Sequence, residues 1–341
     1  MMNVPNIPTD LHNKEDVDHS VVLLSKSDIA KIALDHKTMI AWVERALKDL
    51  AQGDSLNPTK IEMVSPKHHS MNYAMMGTCA EPATVGMKLS HKFFGGAGRQ
   101  MQRYYTALLI FDDNSGQPLA LADCSWITAA RTPAVSALIV RETMREGARK
   151  VLIVGSGMQA QYAAPMIAAL CPQLDKFEIF GHYQQGLQSA QHYFSECHPE
   201  KELNIVEDLE KAAREADVIV GVSGGHSSSN VQASWLKPGA VSILVGYGID
   251  PAAFHEADYK IATSEEQMKV TGQDFAYEDG SFPELDGNLP DILMGKLPAR
   301  RSQEQRVFAY NSGLVVTDIA VGRALYEAAK QQNLGQKVAL W

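Results

Sequence analysis

The sequence predicts an α/β protein, with a doubly wound parallel sheet in mid-chain and an α+β unit built from both chain ends. Three observations carry this reading. Lys150-Val151-Leu152-Ile153-Val154-Gly155-Ser156-Gly157-Met158-Gln159-Ala160 joins a continuous apolar run to a glycine turn and the start of a helical pattern. From residue 151 to about 248, apolar runs alternate with helical segments, the order that lays helices on both faces of a parallel sheet. Outside that stretch, residues 60–121 read as strands separated by turns, and 317–331 return to helical spacing.

The elements follow in order. The first 20 residues are polar and carry Pro5 and Pro8, which predicts a loose or strap-like leader rather than a signal peptide. Residues 25–53 read as one helix, with Ile29, Ile32, Ile40, Val43, Leu47 and Leu50 on an apolar face and Gly53 as a stop. Residues 105–111 and 118–122 form a hairpin around Asp113-Asn114-Ser115-Gly116. Residues 128–144 are small and apolar at helical period, as in a connecting helix. Parallel strands are expected at 151–154, 177–180, 218–222 and 242–245, with a shorter one at 260–262. The stretch 265–310 is rich in Gly, Pro and charge, and no element is assigned there.

Composition narrows the function. At 341 residues, 45% hydrophobic and 21% charged, the chain is an ordinary globular protein long enough for two domains. A net charge of −9 argues against nucleic acid or an anionic membrane as partner. The four cysteines lie far apart without a metal or redox spacing, which suits reduced thiols in a cytoplasmic protein. No apolar run approaches membrane-spanning length. His68, His69 and His91 lack matching ligands, so no metal is expected. Gly95-Gly96-Ala97-Gly98-Arg99 lacks the Lys-Ser/Thr of a phosphate loop and reads as a flexible loop.

The glycine turn carries the chemistry. Gly155 and Gly157 permit a tight turn and close backbone approach to a pyrophosphate, which rests on the amides of the helix beginning at Met158 and Gln159. Ala160 fills the third small position. This is a Rossmann dinucleotide site, and it implies NAD or NADP. The second strand ends Phe180-Gly181-His182 with no acid to hold ribose hydroxyls. A missing carboxylate removes repulsion against a 2′-phosphate, and His182 could contact one, which tilts the reading to NADP.

Together these segments resemble the ornithine cyclodeaminase/mu-crystallin family over nearly the whole chain. The resemblance rests on Gly86-Met87-Lys88, Ser115-Gly116-Gln117-Pro118-Leu119-Ala120, Ile127-Thr128-Ala129-Ala130-Arg131-Thr132 and the glycine turn with its Gln159. Asp250 with Glu256 and Asp258, Leu293-Met294-Gly295-Lys296, and Ser312-Gly313 with Asp318 complete it. The family implies a substrate-binding and dimerisation domain from residues 1–130 and 317–341, a Rossmann domain from 131–316, and a homodimer. It also implies hydride transfer between nicotinamide and the α-carbon of a small amino or imino acid, by reduction or by cyclodeamination of ornithine to proline. Its matched residues give Arg131 as carboxylate clamp, Lys88 as carboxylate ligand or proton exchanger, and Asp250 as manager of the nitrogen's protons. A guanidinium fork suits the first task, and burial would lower the pKa of Lys88 for the second. Asp250-Pro251 also reads as a plain turn. Lys60 stands where many members place a carboxylate-binding arginine; it keeps the charge without the fork, and reads equally as a surface lysine. Ser223, Thr132, Asn311 and Ser312 fall where the family lines its nicotinamide and substrate pocket. The rival reading is a crystallin-like binding protein without turnover, against which the presence of Lys88, Arg131 and Asp250 argues.

Overall fold

The computed structural model describes residues 19–340 except 33, 66, 68, 95–102 and 225–227. Residues 1–18 of the expected leader, the 95–99 glycine loop and His68 lie outside the described residues; Ser20, at the end expected of that leader, instead opens a strand.

One sheet is wholly parallel. Its strands run, in spatial order, Gly287–Asn288, Tyr259–Ala262, Val307–Tyr310, Val241–Leu244, Val218–Gly221, Lys150–Val154, Lys176–Phe180 and Leu203–Ile205. The chain starts at Lys150–Val154, winds outward to Leu203–Ile205, then returns to Val218–Gly221 on the other side of its first strand. That reversal opens a crevice at the carboxyl ends of Lys150–Val154 and Val218–Gly221. Lys150–Val154, Val218–Gly221 and Val241–Leu244 are buried at every residue, as runs that are apolar apart from Lys150 and Ser242 require. Three strands escape the sequence pattern. Leu203–Ile205, Gly287–Asn288 and Val307–Tyr310 are three, two and four residues long, too short for periodicity to separate strand from loop. Val307–Tyr310 nonetheless slots between Val241–Leu244 and Tyr259–Ala262.

The second sheet takes the order Gln336–Ala339, Ser20–Leu24, Pro118–Asp123, Arg103–Asp112, Thr84–Phe93, Ser70–Cys79 and Ile61–Ser65. Both chain ends therefore meet in it, Ser20 pairing with Ala339. Helix Val315–Gln332 packs against one face. The predicted 25–53 helix is in fact two. Ser25 caps Lys26–Ile29, and Asp35 restarts the chain as His36–Gln52 by accepting the Thr38 amide. Gly53, at φ +84°, ends it. The connecting helix is Ser125–Thr143, buried over most of its length. No helix among the described residues is long and apolar enough to cross a membrane.

Candidate active site

Strand alternation aims Lys88. In Thr84–Phe93 the residues Gly86, Lys88 and Ser90 face helix Val315–Gln332, while Met87 and Leu89 point the other way. The helix sits close because two glycines make room. A Cβ on Gly86 would lie 2.4 Å from Ile319, and one on Gly322 2.4 Å from Leu108. This approach brings Asp318, in the first helical turn, against Lys88.

Three charged groups then share one point. Lys88 Nζ donates to Asp318 Oδ1 at 2.7 Å and to Thr128 Oγ1 at 2.7 Å. Arg131 Nε donates to the same Asp318 oxygen at 3.1 Å. Lys88, Arg131 and Asp318 are 2%, 4% and 0% exposed, so the pairing is dry. Burial alone would push the Asp318 carboxyl up; the charges of Arg131 and Lys88 outweigh it and hold the group below the ordinary carboxylate range. Burial alone would likewise lower Lys88, the shift expected from sequence. Asp318 reverses that sign and keeps Lys88 above the usual lysine value. Lys88 is thus a fixed cation, suited to holding an anion rather than to exchanging protons.

Lys88, Thr128 and Arg131 line a cavity of about 520 Å³ together with Lys60, Thr132, Gln159 and Ser312, with Asp318 behind them. Strand Val307–Tyr310 delivers Asn311 and Ser312 to this cavity, so the strand hidden from the sequence pattern positions two of the predicted site residues. Asn311 Nδ2 donates to Thr132 O at 3.1 Å and to Ser136 Oγ at 3.0 Å; Gln159 Nε2 donates to Thr128 O at 3.2 Å. Ser312 Oγ pairs with Thr263 Oγ1 at 2.9 Å. Five buried polar atoms around the site remain without a hydrogen-bond partner: Arg131 Nη1, Asp318 Oδ2, Gln159 Oε1, Asn230 Oδ1 and Asn311 Oδ1. Such atoms are costly to bury unsatisfied, so they mark where a ligand's complementary groups belong.

Lys60 is the softer cation. Burial first, then the positive charges of Arg131, Lys88 and Lys92, lower its pKa to about 8.

A second cavity, of about 330 Å³, occupies the crevice where the parallel sheet reverses. Gly155, Gly157, His182 and Ser223 line it. His182 Nε2 pairs with Ser229 Oγ at 2.9 Å, and Ser223 Oγ donates to Val154 O at 3.1 Å. Met158, 46% exposed as the first residue of helix Met158–Leu170, lines neither cavity. Asp250 lies between the lining residues Ile249 and Pro251, but its Oδ1 accepts the Ala252 amide at 2.9 Å and it does not itself line the cavity. Among the described residues no group of His, Cys, Asp or Glu is placed to hold a metal ion.

Asp318 is the site residue that sequence reasoning passed over as a motif position without a role. A lone acid inside the apolar run Leu314-Val315-Val316-Thr317-Asp318-Ile319-Ala320-Val321 was the available signal, because a buried charge demands a partner.

The model of the ornithine cyclodeaminase/mu-crystallin family matches residues 20–333. The chain belongs to this family. It is 26% identical over 320 residues to the Rhizobium meliloti nodulation efficiency protein NfeD, covering 93% of this chain and 98% of that one. It is 27% identical over 241 residues to a Bacillus cereus Delta(1)-pyrroline-2-carboxylate reductase, covering 68% and 73%. In structure it is similar to the Thermococcus litoralis Delta(1)-pyrroline-2-carboxylate reductase in complex with NADH and L-proline, with TM-score 0.81, 20% identity and coverage of 93% and 100%.

The two turn glycines of this ornithine cyclodeaminase/mu-crystallin member meet different constraints. Gly155 sits at φ +141°, and a Cβ there would lie 2.7 Å from the backbone at Val222 and Ser223. Gly157, the N-cap of Met158–Leu170, has open space where a Cβ would go. Gly155→Ala is expected to cost about 1–3 kcal/mol of stability, and Gly157→Ala less than about 1 kcal/mol. Denaturant unfolding of both variants checks this; equal losses would refute the assignment of the tight approach to Gly155.

Proposed function

We propose that this protein is an NAD(P)-dependent reductase acting at the α-carbon of a small amino acid or cyclic imino acid. The observation that carries the reading is the unpartnered Arg131 Nη1, a buried guanidinium donor facing a cavity that also presents the unpartnered acceptors Gln159 Oε1 and Asn311 Oδ1. A substrate carboxylate satisfies the first. A carboxamide N–H₂ suits the other two, so the residues fit a nicotinamide. The crevice with Gly155, Gly157 and the amides of Met158–Leu170 suits the cofactor's pyrophosphate.

When bound, the reduced nicotinamide supplies the hydride that converts an imine carbon to an amine carbon. The net change adds that hydride to carbon and a proton to nitrogen, and leaves the cofactor oxidised. Arg131 and Lys88 hold the carboxylate and so orient the α-carbon. Asp318 holds both cations in place and keeps Lys88 charged. Ser312, Thr132 and Ser223 shape the walls beside the reacting atoms. Asp250 is assigned the nitrogen's proton, a role that requires its carboxylate to leave the Ala252 amide and turn toward the cavity that its neighbours Ile249 and Pro251 line. The residues 1–130 with 317–341 serve as substrate and dimerisation domain, and 131–316 as the Rossmann domain.

Loss of reduced-nicotinamide absorbance with a five- or six-membered cyclic imino acid tests the reading. Turnover is expected, with NADPH preferred, because no acid follows Phe180. His182→Asp would restore a carboxylate there and is expected to move the NADPH/NADH ratio of kcat/KM toward NADH by about tenfold. No oxidation with either cofactor would refute the reductase reading.

The open sheet face supports a homodimer. Pairing register aligns Ile61, Ala74, Leu89 and Ala107 in one row and Met63, Asn72, His91 and Tyr105 in the next. Ile61, Met63, Leu89 and Tyr105 are all at least 61% exposed. A contiguous apolar patch of this kind marks an interface. Leu89→Asp is expected to yield a monomer by light scattering; an unchanged mass for that variant, or a monomeric parent, would refute the dimer through this face.

A further inference from the structure

The active-site cavity holds more positive charge than one carboxylate can match. Lys60, Lys88, Lys92 and Arg131 all line it. Asp318 is the buried acid beside them, and it is shared by Lys88 and Arg131 through a single oxygen. Asp274, at the cavity, and Glu62, whose charge acts on Lys92, are exposed to solvent, where screening weakens them. Lys60 and Lys92 have no ion pair among the described residues. Both ammoniums instead rest against one aromatic ring, 5.9 and 5.0 Å from the centroid of Tyr73. A cation–π contact of this kind helps but does not neutralise. With four cations and one buried acid the cavity carries three excess positive charges; one substrate carboxylate leaves two, and a second leaves one.

We propose that the substrate carries a second carboxylate, which Lys60 and Lys92 receive beside Tyr73 while Arg131 and Lys88 hold the first. The inference rests on the reductase reading and narrows its substrate to dicarboxylic imino acids. The lowered proton affinity of Lys60 and Lys92 agrees with it, since in each case burial is the leading cause and an arriving anion would relieve it. The lysine at position 60 also fits: two separate ammoniums can follow a mobile side-chain carboxylate, whereas a rigid fork demands one orientation.

The test uses the whole protein saturated with cofactor. Calorimetry compares glutarate with pentanoate and succinate with butyrate, each pair equal in length and differing by one carboxylate. Turnover compares the imines that 2-oxoglutarate and 2-oxopentanoate form with ammonia. The diacid is expected to bind at least about tenfold tighter in one pair, and Lys92→Gln to bring that ratio to about twofold or less. Lys60→Gln serves as the second variant if Lys92→Gln does not fold. Equal binding within both pairs overturns the proposal, and if the monocarboxylic imine is then turned over, the reductase reading stands without it. A ratio unmoved by both variants likewise overturns the assignment to Lys60 and Lys92. Preferred diacid binding without turnover of any imine leaves the second-carboxylate site standing and refutes the reductase.

Discussion

Replacing Asp318 with asparagine is expected to destabilise the protein by about 3–5 kcal/mol, because it leaves two buried cations without their shared counter-ion. The carboxylate is fully buried and touches Lys88 at 2.7 Å and Arg131 at 3.1 Å. Asparagine keeps the shape but removes the charge, so the loss reports electrostatics rather than a cavity. The pH dependence carries the sign. A carboxyl whose folded pKa lies below its unfolded value of 3.8 contributes stability that is present above that value and fades as pH falls through the folded pKa. The gap between parent and variant should therefore be wide at neutral pH and narrow in acid below pH 3.8. Unfolding in urea across pH measures it. A gap that stays constant into acid would show that Asp318 acts by packing alone. The variant should also lose activity, since Lys88 without Asp318 returns toward the lowered pKa that burial imposes.

Arg131→Lys is expected to lower kcat/KM by about 30- to 1000-fold, the equivalent of about 2–4 kcal/mol, by removing a buried charge-assisted hydrogen bond to the substrate carboxylate. Lysine preserves the positive charge and can still reach toward Asp318. What it loses is the second donor. In the present structure Arg131 spends Nε on Asp318 and leaves Nη1 free, so a single residue both anchors to the protein and receives the ligand. Gly313 enforces that geometry: a Cβ there would lie 2.5 Å from Arg131 Nη2. Steady-state kinetics on the cyclic imino acid decide the matter. A loss confined to KM would show that the contact is made equally in the ground and transition states, an equal loss in kcat and kcat/KM would place it in the transition state alone, and a loss below about threefold would remove Arg131 from the clamp.

The amino-acid sequence by itself determined the parallel sheet, the glycine turn and the family. Those features are local: an apolar run ending in Gly155-Ser156-Gly157 needs only its neighbours to declare strand, turn and helix. Lys88 and Arg131 were legible for the same reason, each lying in a short motif. Tertiary structure decided the rest. Asp318 lies 230 residues from Lys88, and only the close approach of helix Val315–Gln332 over Gly86 makes it their counter-ion and reverses the expected pKa shift of Lys88. Val307–Tyr310 is too short to announce itself, and it becomes a strand because two neighbours supply its hydrogen bonds on either side. The break at Asp35 is a contest between helical spacing and a capping carboxylate, which the cap wins once Thr38 turns its amide toward it. Charge excess in the cavity was equally hidden. Lys60 and Lys92 belong to different strand regions, and only the folding of both against Tyr73 shows that they face one space. Spacing along a chain reports what neighbours do, whereas a site is assembled from residues that meet only after the apolar surfaces between them have been buried.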